Sequence, residues 1–523
     1  VSTKTIEQAT TMWELVEARA AASPDVVVLY DGDDREVTFA ELRDRAERVA
    51  AGLHDLGVGH GTRVTWQLPT RIETVVLSLA LARLGAVQNP ILPLYRDREV
   101  GFVVSQVGAE FFCVPGEWNG FDFVAMAERI KAEHGIDPTV LVTYDSLPEG
   151  DPATLPPAPT DGDEVRWIYY TSGTTSAPKG VQHSDGTLMA GGLGLADAVK
   201  LSADDIGSIA FPYSHIAGPD YLMTLLYRGC GAVLVEAFKL DDAVELFARK
   251  GATMAGGGPA FYQMYLAKQR TQPGVPIIPS LRLLSGGGAP KPPEMYTEVK
   301  EEMGIPVCHG YGMTECPMIA QGGPDDTEAQ LMYTDGPPVT GISIRIVTLE
   351  GEEAPQGTDG EVRVKGPMVF KGYTDPSLDA DAFDDEGWFR TGDLGHLDEG
   401  GHVVLTGRLK DVIIRKGENI SAKEIEDLLY QHPKVGDVAV IGLPDRERGE
   451  RVCACVETAT GAEPLEFAEM VAFLKDHELM VQKIPEQLEV VDALPRNNTL
   501  GKILKTDLRD QFRDKPWSPP ARS

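Results

Sequence analysis

Basic side chains are scarce in this 523-residue sequence: 48 lysines and arginines stand against 80 aspartates and glutamates, a formal charge of -32 at pH 7. A surface so acidic repels nucleic acid and anionic membranes alike, which sets both aside as main partners and leaves good solvation as the plain meaning of the charge. Cysteine is sparse as well. Cys113, Cys230, Cys308, Cys316, Cys453 and Cys455 are scattered through the chain, so neither a disulfide framework nor a zinc site is indicated. The one close pair, Cys453 and Cys455, lies in a β-prone run from Arg451 to Val456, where alternate residues share a face and act as packing groups. Long apolar runs are also missing. The most apolar, from Val75 to Leu92, is broken by Arg83, Gln88, Asn89 and Pro90, too short and too polar for a membrane span. The first residues lack the basic-then-apolar order of a secretory signal, which predicts a cytoplasmic location.

The 42 % hydrophobic content of so long a chain supports a large core in more than one domain. Met12, Leu15, Val16 and Ala20 recur at helical spacing before a strand from Val26 to Tyr30. Thr38 with Glu41 three residues on reads as a helix start, and Arg63 to Leu68 as a strand followed by a helix from Arg71 to Leu84. Such alternation predicts a parallel sheet covered by helices on both faces. A stiff connection follows, with Pro148, Pro152, Pro156, Pro157 and Pro159. Alternation then resumes until about residue 337, where short β-runs between Gly and Asp turns take over as far as 407. Beyond Lys410 the texture is α+β, with a helix near Ile425–Leu429 and a strand near Val438–Gly442. The division read from these shifts is an N-terminal domain of residues 1–409, its β-rich part at 337–407, then a C-terminal domain of 410–513 and a disordered tail of 514–523.

The chemistry concentrates in Thr171-Ser172-Gly173-Thr174-Thr175-Ser176-Ala177-Pro178-Lys179-Gly180. Hydroxyls, glycine backbone and one lysine can offer O–H, N–H and ammonium donors to a single anion. This is no Walker A loop, since Lys179 precedes Gly180 and neither Ser nor Thr follows the pair. The order of residues resembles the signature loop of the adenylate-forming superfamily: acyl-CoA synthetases, peptide-synthetase adenylation domains and firefly-type luciferases. Ser176 stands where that family most often has glycine. Further stretches match the same superfamily in the same order between Met12 and Leu508, and although each alone is an ordinary turn or a solvated lysine, their shared order points one way.

The resemblance implies an α/β fold: a large N-terminal domain of two β/α-sandwich subdomains plus a small β-barrel-like subdomain, and a small mobile α+β C-terminal domain. It implies ATP, Mg2+ and coenzyme A, with a small carboxylic acid as substrate. Thr171, Ser172, Gly173, Thr174, Thr175 and Lys179 then close over the ATP phosphates. Gly287, Gly288, Ala289 and Pro290, within Ser285–Pro290, let backbone approach adenine and the acyl group. In His309-Gly310-Tyr311-Gly312-Met313-Thr314-Glu315 the resemblance stacks Tyr311 on adenine, turns Thr314 to the phosphates and gives Mg2+ to Glu315, with Thr174 the second metal contact. Asp393 accepts from both ribose hydroxyls, Arg408 meets ribose and phosphate, and Lys410 is the hinge that turns Lys416, Gly417 and Glu418 toward the thiol tunnel. His215 borders the acyl pocket and helps position the thiol. Lys502 reaches the substrate carboxylate and the α-phosphate; the spacing from Arg496 is one residue longer than the usual pattern, so its choice over Lys505 rests on the Gly-Lys-Ile-Leu-Lys match.

The implied reaction is ATP-dependent formation of an acyl-adenylate followed by thioester formation with CoA. The alternatives are an adenylating enzyme that serves a free-standing carrier protein, an amine or oxygen, and an acidic scaffold with a decayed site. A fused carrier is not expected, because no carrier-length segment follows Lys502, and every motif lysine and acid is present. Self-association as a homodimer is left open. Two small-residue strips, Ala255–Ala260 and Gly286–Gly288, suggest room for a wide or long acyl group, unless they serve tight turns and close backbone packing. No basic residue stands out in the pocket stretches, which disfavours dicarboxylates.

Overall fold

Thr11 caps the helix Met12–Ala22 by accepting the Glu14 N–H, and Thr38 with Glu41 forms a reciprocal capping box at the start of Phe39–Asp55, as the Thr-x-x-Glu spacing predicts. The structure, a computed structural model, describes residues 4–171, 178–415, 418–446, 448–496, 503–513 and 515. These fall into two compact units, one reaching to Ser343 and including Val364–Phe389, the other made of Ile344–Arg363 and the chain from Arg390 onward.

Three larger sheets and the two-stranded ribbon of Glu117–Trp118 and Phe121–Asp122 lie in the first unit. Six strands run in the order Lys179–Ser184, Val165–Thr171, Val87–Pro90, Arg63–Trp66, Phe111–Val114 and Thr139–Val142. They are parallel except at the Lys179–Ser184 edge. A second sheet orders Ile206–Ile209, Gly231–Leu234, Val27–Tyr30 and Glu36–Thr38, and a third Met254–Gly257, Leu283–Gly287, Val307–Met313 and Cys316–Gln321. Helices Ile72–Leu84, Asp185–Ala198 and Ala217–Arg228 bury Leu77, Leu188 and Leu222 in the core they share. The loops singled out for chemistry follow the carboxyl ends of Val165–Thr171, Ile206–Ile209, Leu283–Gly287 and Val307–Met313. Ligands in open α/β sheets collect at such ends.

In the second unit four strands, Ser343–Val347, Gly360–Lys365, Phe389–Leu397 and Val403–Arg408, form one sheet. A separate sheet is built on the long hairpin Val435–Asp445 and Gly449–Thr458. One face of that hairpin presents Val438, Val440, Val452 and Ala454 to the helices Ala422–Leu429 and Phe467–Asp476. The other presents Ala439, Ile441, Cys453 and Cys455 to the helix Lys505–Phe512. Both cysteines are therefore packing groups, as the alternation predicts. Among the described residues no helix is long and apolar enough to cross a membrane.

Candidate active site

The phosphate-loop candidate is the connection of an antiparallel hairpin, with Thr171 directly opposite Lys179. Ser172, Gly173, Thr174, Thr175 and Ser176 between them lie outside the described residues. A segment from far along the chain lies against the hairpin's outer strand. Lys371 N–H donates to the Gln182 carbonyl at 2.7 Å, Gln182 N–H to Gly372 at 3.0 Å, and Thr374 N–H to Gly180 at 2.8 Å. This pairing brings the Tyr373 ring beneath Lys179, whose Nζ stands 5.0 Å from the ring centroid.

Tyr373 also reaches the second candidate stretch. Met313 pairs with Cys316, leaving Thr314 and Glu315 as the tip of a tight hairpin, and the Tyr373 hydroxyl donates to Glu315 Oε1 at 2.9 Å. Burial first, and the Glu315 charge second, hold the phenol's pKa well above its ordinary value, so Tyr373 stays a donor. Backbone bonds fix the tip further: Phe370 N–H donates to the Glu315 carbonyl at 2.9 Å, and buried His183 meets the Thr314 carbonyl through Nε2 at 2.7 Å. Burial pushes the His183 pKa down to about 4. The neutral ring must carry its proton on Nε2, because a carbonyl only accepts, and Nδ1 takes the Thr187 hydroxyl at 2.9 Å.

The stretches Ser285–Pro290 and His309–Glu315, which their glycines mark as turns, instead begin as strands. Gly286 pairs with His309 and Gly287 with Gly310 in parallel register. A Cβ on Gly287 would sit 2.3 Å from the Gly310 carbonyl oxygen, and one on Gly256 would sit 1.9 Å from that of Ser285. The glycine strips thus serve strand-to-strand approach, and the acyl-pocket width they suggest does not follow from them. Gly288, at φ +87, turns the chain out of the strand toward Ala289 and Pro290. His309 is buried and donates Nε2–H to the Ala289 carbonyl at 3.0 Å, strapping the two stretches together. Tyr311 is buried in the same strand, ahead of Gly312 and Met313.

His215 follows Ile206–Ile209 and accepts the Ala217 N–H on Nδ1 at 3.2 Å, which puts its proton on Nε2. Partly open to solvent by area yet enclosed by protein, its ring has its pKa pushed down to about 4 by burial. His215 lines a cavity of about 40 Å³ with Thr314, Ser214, Tyr170 and Leu92, so the structure brings two of the expected site residues to one space. A roomier cavity of about 380 Å³ lies elsewhere, against Asp31, Arg35, Arg71 and Glu236, and Arg35 and Arg71 are already paired with carboxylates.

In the second unit Asp393 and Arg408 face each other across paired strands, with Arg408 Nε 2.9 Å from Asp393 Oδ1. Asp393 is 4 % exposed. Lys410 occupies the single turn Leu409–Asp411, where burial, then the Arg408 charge, lower its pKa. Glu418 opens the short strand Glu418–Ile420; Lys416, Gly417 and Lys502 lie outside the described residues. Lys505 does not: its Nζ is 2.7 Å from Glu426 Oε1.

An acidic hairpin tip beside a lysine suits a hard cation with phosphate oxygens, and a buried carboxylate set by an arginine suits paired hydroxyls. The decisive observation is of the whole chain: the model of the AMP-binding enzyme family matches residues 16–374, and that of its C-terminal domain matches 424–502. The chain belongs to the AMP-binding enzymes.

The motif resemblance is borne out by that membership. This AMP-binding enzyme is 33 % identical to the medium-chain fatty-acid–CoA ligase of Escherichia coli K12 over 506 residues, 94 % of this chain and 88 % of the relative. It is 32 % identical to the salicyl-AMP ligase/salicyl-S-ArCP synthetase of Mycobacterium tuberculosis over 499 residues, 92 % of this chain and 87 % of the relative. The ATP-bound structure of MatB from Rhodopseudomonas palustris superposes with a TM-score of 0.85 at 32 % identity, covering 96 % of this chain and 99 % of that one. Tyr373 and His183 are the residues around the expected site that reading the sequence missed.

Proposed function

We propose that this AMP-binding enzyme is an acid–thiol ligase. It activates a carboxylic acid with ATP as the acyl-adenylate, releases pyrophosphate, and passes the acyl group to the thiol of CoA with release of AMP. What supports the reading is the cluster in which Tyr373 lies between Lys179, which closes the loop read as phosphate-binding, and Glu315, the carboxylate read as metal-binding.

Attack of a carboxylate on the α-phosphorus asks little covalent work of the protein; alignment and stabilisation of charge on phosphate oxygens do the catalysis. Lys179 and the Thr174/Thr175 loop hold the β- and γ-phosphates. Glu315, oriented by Tyr373, and Thr174 would hold Mg2+, which would neutralise phosphate charge. Tyr311 and the Gly287–Pro290 backbone receive the adenine, Asp393 the ribose and Arg408 the ribose and phosphate. Lys502 spans the carboxylate and the α-phosphate. Lys410, within one isolated turn, serves as the hinge that lets Lys416, Gly417 and Glu418 replace Lys502 for the second step. The cavity at His215 has neither Lys nor Arg in its lining and its histidine is neutral, which favours a monocarboxylic acid.

A carrier-protein thiol is the second acceptor, favoured by the likeness to a salicyl-S-ArCP synthetase. Pyrophosphate release is to be measured over aliphatic, alicyclic and aromatic acids, with and without CoA. CoA-dependent turnover supports the ligase, and adenylate formation that stalls until a carrier is added supports the alternative. Lys502→Ala is expected to abolish adenylation while thioester formation from supplied acyl-adenylate continues; equal loss of both steps contradicts the assignment.

A further inference from the structure

The helix Lys505–Phe512 shows two i, i+4 pairs that do different work. Leu508 and Phe512, 0 % and 5 % exposed, enter the apolar face of the hairpin beside Ala439, Ile441 and Cys453. Such contact is non-directional and holds the helix without fixing its rotation or its position along the face. Lys505 and Arg509 supply direction. Lys505 Nζ is 2.7 Å from Glu426 Oε1, an oxygen that also accepts the Val440 N–H at 2.7 Å. Arg509 Nη2 is 2.8 Å from Asp411 Oδ1, and Asp411 belongs to the turn that carries Lys410. Burial works against the Asp411 charge, but the nearness of Lys505 and the Arg509 bond outweigh it and hold the carboxyl below the usual range. The pairs are sheltered, with none of the four side chains more than 25 % exposed, so salt screens them weakly. One residue ahead of the helix, Leu504 N–H donates to the Pro495 carbonyl at 2.7 Å, and Ile503 bridges Arg496.

We propose that Lys505 and Arg509 are positioning residues for the adenylation half-reaction: through Glu426 and Asp411 they set the register of the terminal helix, which begins three residues after Lys502 in sequence. The proposal rests on the role given to Lys502 above. It makes Lys505 a structural cation committed to carboxylates within its own unit, not a second candidate for the substrate. It also ties the Lys410 turn to the terminal helix through Asp411 and Arg509.

The test separates the half-reactions in the full-length enzyme with the best acid from the pyrophosphate-release screen. Lys505→Met and Arg509→Met keep the aliphatic bulk and remove the charge. Each is expected to lower ATP–pyrophosphate exchange by ~30-fold, as loss of alignment does, while thioester formation from supplied acyl-adenylate stays within ~3-fold. Exchanging the partners, as Asp411→Arg with Arg509→Asp, is expected to restore most of the exchange activity lost in Arg509→Met. Unchanged exchange in the single variants, equal loss of both half-reactions, or a charge swap that restores nothing overturns the proposal. Absence of exchange in the unaltered enzyme with every acid is a different result, and it overturns the ligase reading instead.

Discussion

Tyr373 donates its hydroxyl to Glu315 Oε1 at 2.9 Å across a separation of 58 residues, so the carboxylate at the hairpin tip is oriented from outside its own motif. Hydrogen-bond partners of a metal-binding carboxylate tune metal affinity, and losing one typically costs ~10–100-fold. Tyr373→Phe removes the donor and keeps the ring beneath Lys179. It is expected to raise the Mg2+ concentration needed for half-maximal adenylation by ~10-fold, with little change in the affinity for the acid. A Mg2+ titration at fixed ATP checks this, and an unmoved midpoint removes Tyr373 from the metal site.

Gly180 has no room for a side chain. A Cβ there would lie 2.5 Å from Thr374 Oγ1 and 2.7 Å from Thr374 Cγ2, and Thr374 is held in place by its own N–H bond to the Gly180 carbonyl. Gly180→Ala is expected to destabilise the protein by about 1–3 kcal/mol through overpacking. Thr374→Ala opens the same space, so in that background the penalty should shrink. Denaturant unfolding of the four variants gives the coupling; additive effects mean that the crowding relaxes elsewhere.

His183 makes the fold sensitive to mild acid. Its pKa falls from the ordinary 6.5 to about 4 on burial, so between those values the unfolded chain takes up a proton that the folded chain refuses. Its contribution to stability is whole above pH 6.5, declines as pH falls, and is lost by about pH 4, a change of about 3 kcal/mol. His183→Gln keeps an N–H for the Thr314 carbonyl and does not titrate. Urea midpoints at pH 7 and pH 5 should diverge less in this variant than in the unaltered protein, and parallel pH dependence rules out His183 as the source.

Much of this architecture is legible in the order of residues, for local reasons. The capping box at Thr38, the strand and helix on either side of Arg71, and the hydroxyl, glycine and lysine sequence of the phosphate loop all carry their meaning within a few positions. Ser285–Gly287 is misread as a turn because glycine is a poor strand former; what makes it a strand is the closeness of Gly257 and Gly310 on either side. The same closeness explains the glycine strips without any need for a wide pocket. Tyr373 and His183 carry no local signal, since their partners, Glu315 and Thr314, lie far along the chain. Two lysines near the end look alike in sequence, and only the fold shows that Lys505 is committed to Glu426.

The ribose assignment has a test of its own. Asp393 is buried, with Arg408 Nε at 2.9 Å, and its two carboxyl oxygens suit it to accept from the two hydroxyls of a ribose. A site built to pair a hydroxyl rejects the analogue that lacks it, often by ~10,000-fold, because its polar group is then left buried and unpaired. The enzyme is therefore expected to use ATP far better than 2′-deoxy-ATP or 3′-deoxy-ATP. Asp393→Asn weakens the acceptor and should lower kcat/KM for ATP by ~100-fold while narrowing the gap to both analogues. Loss of rate with discrimination intact would place the ribose elsewhere and leave Asp393 only the task of holding Arg408.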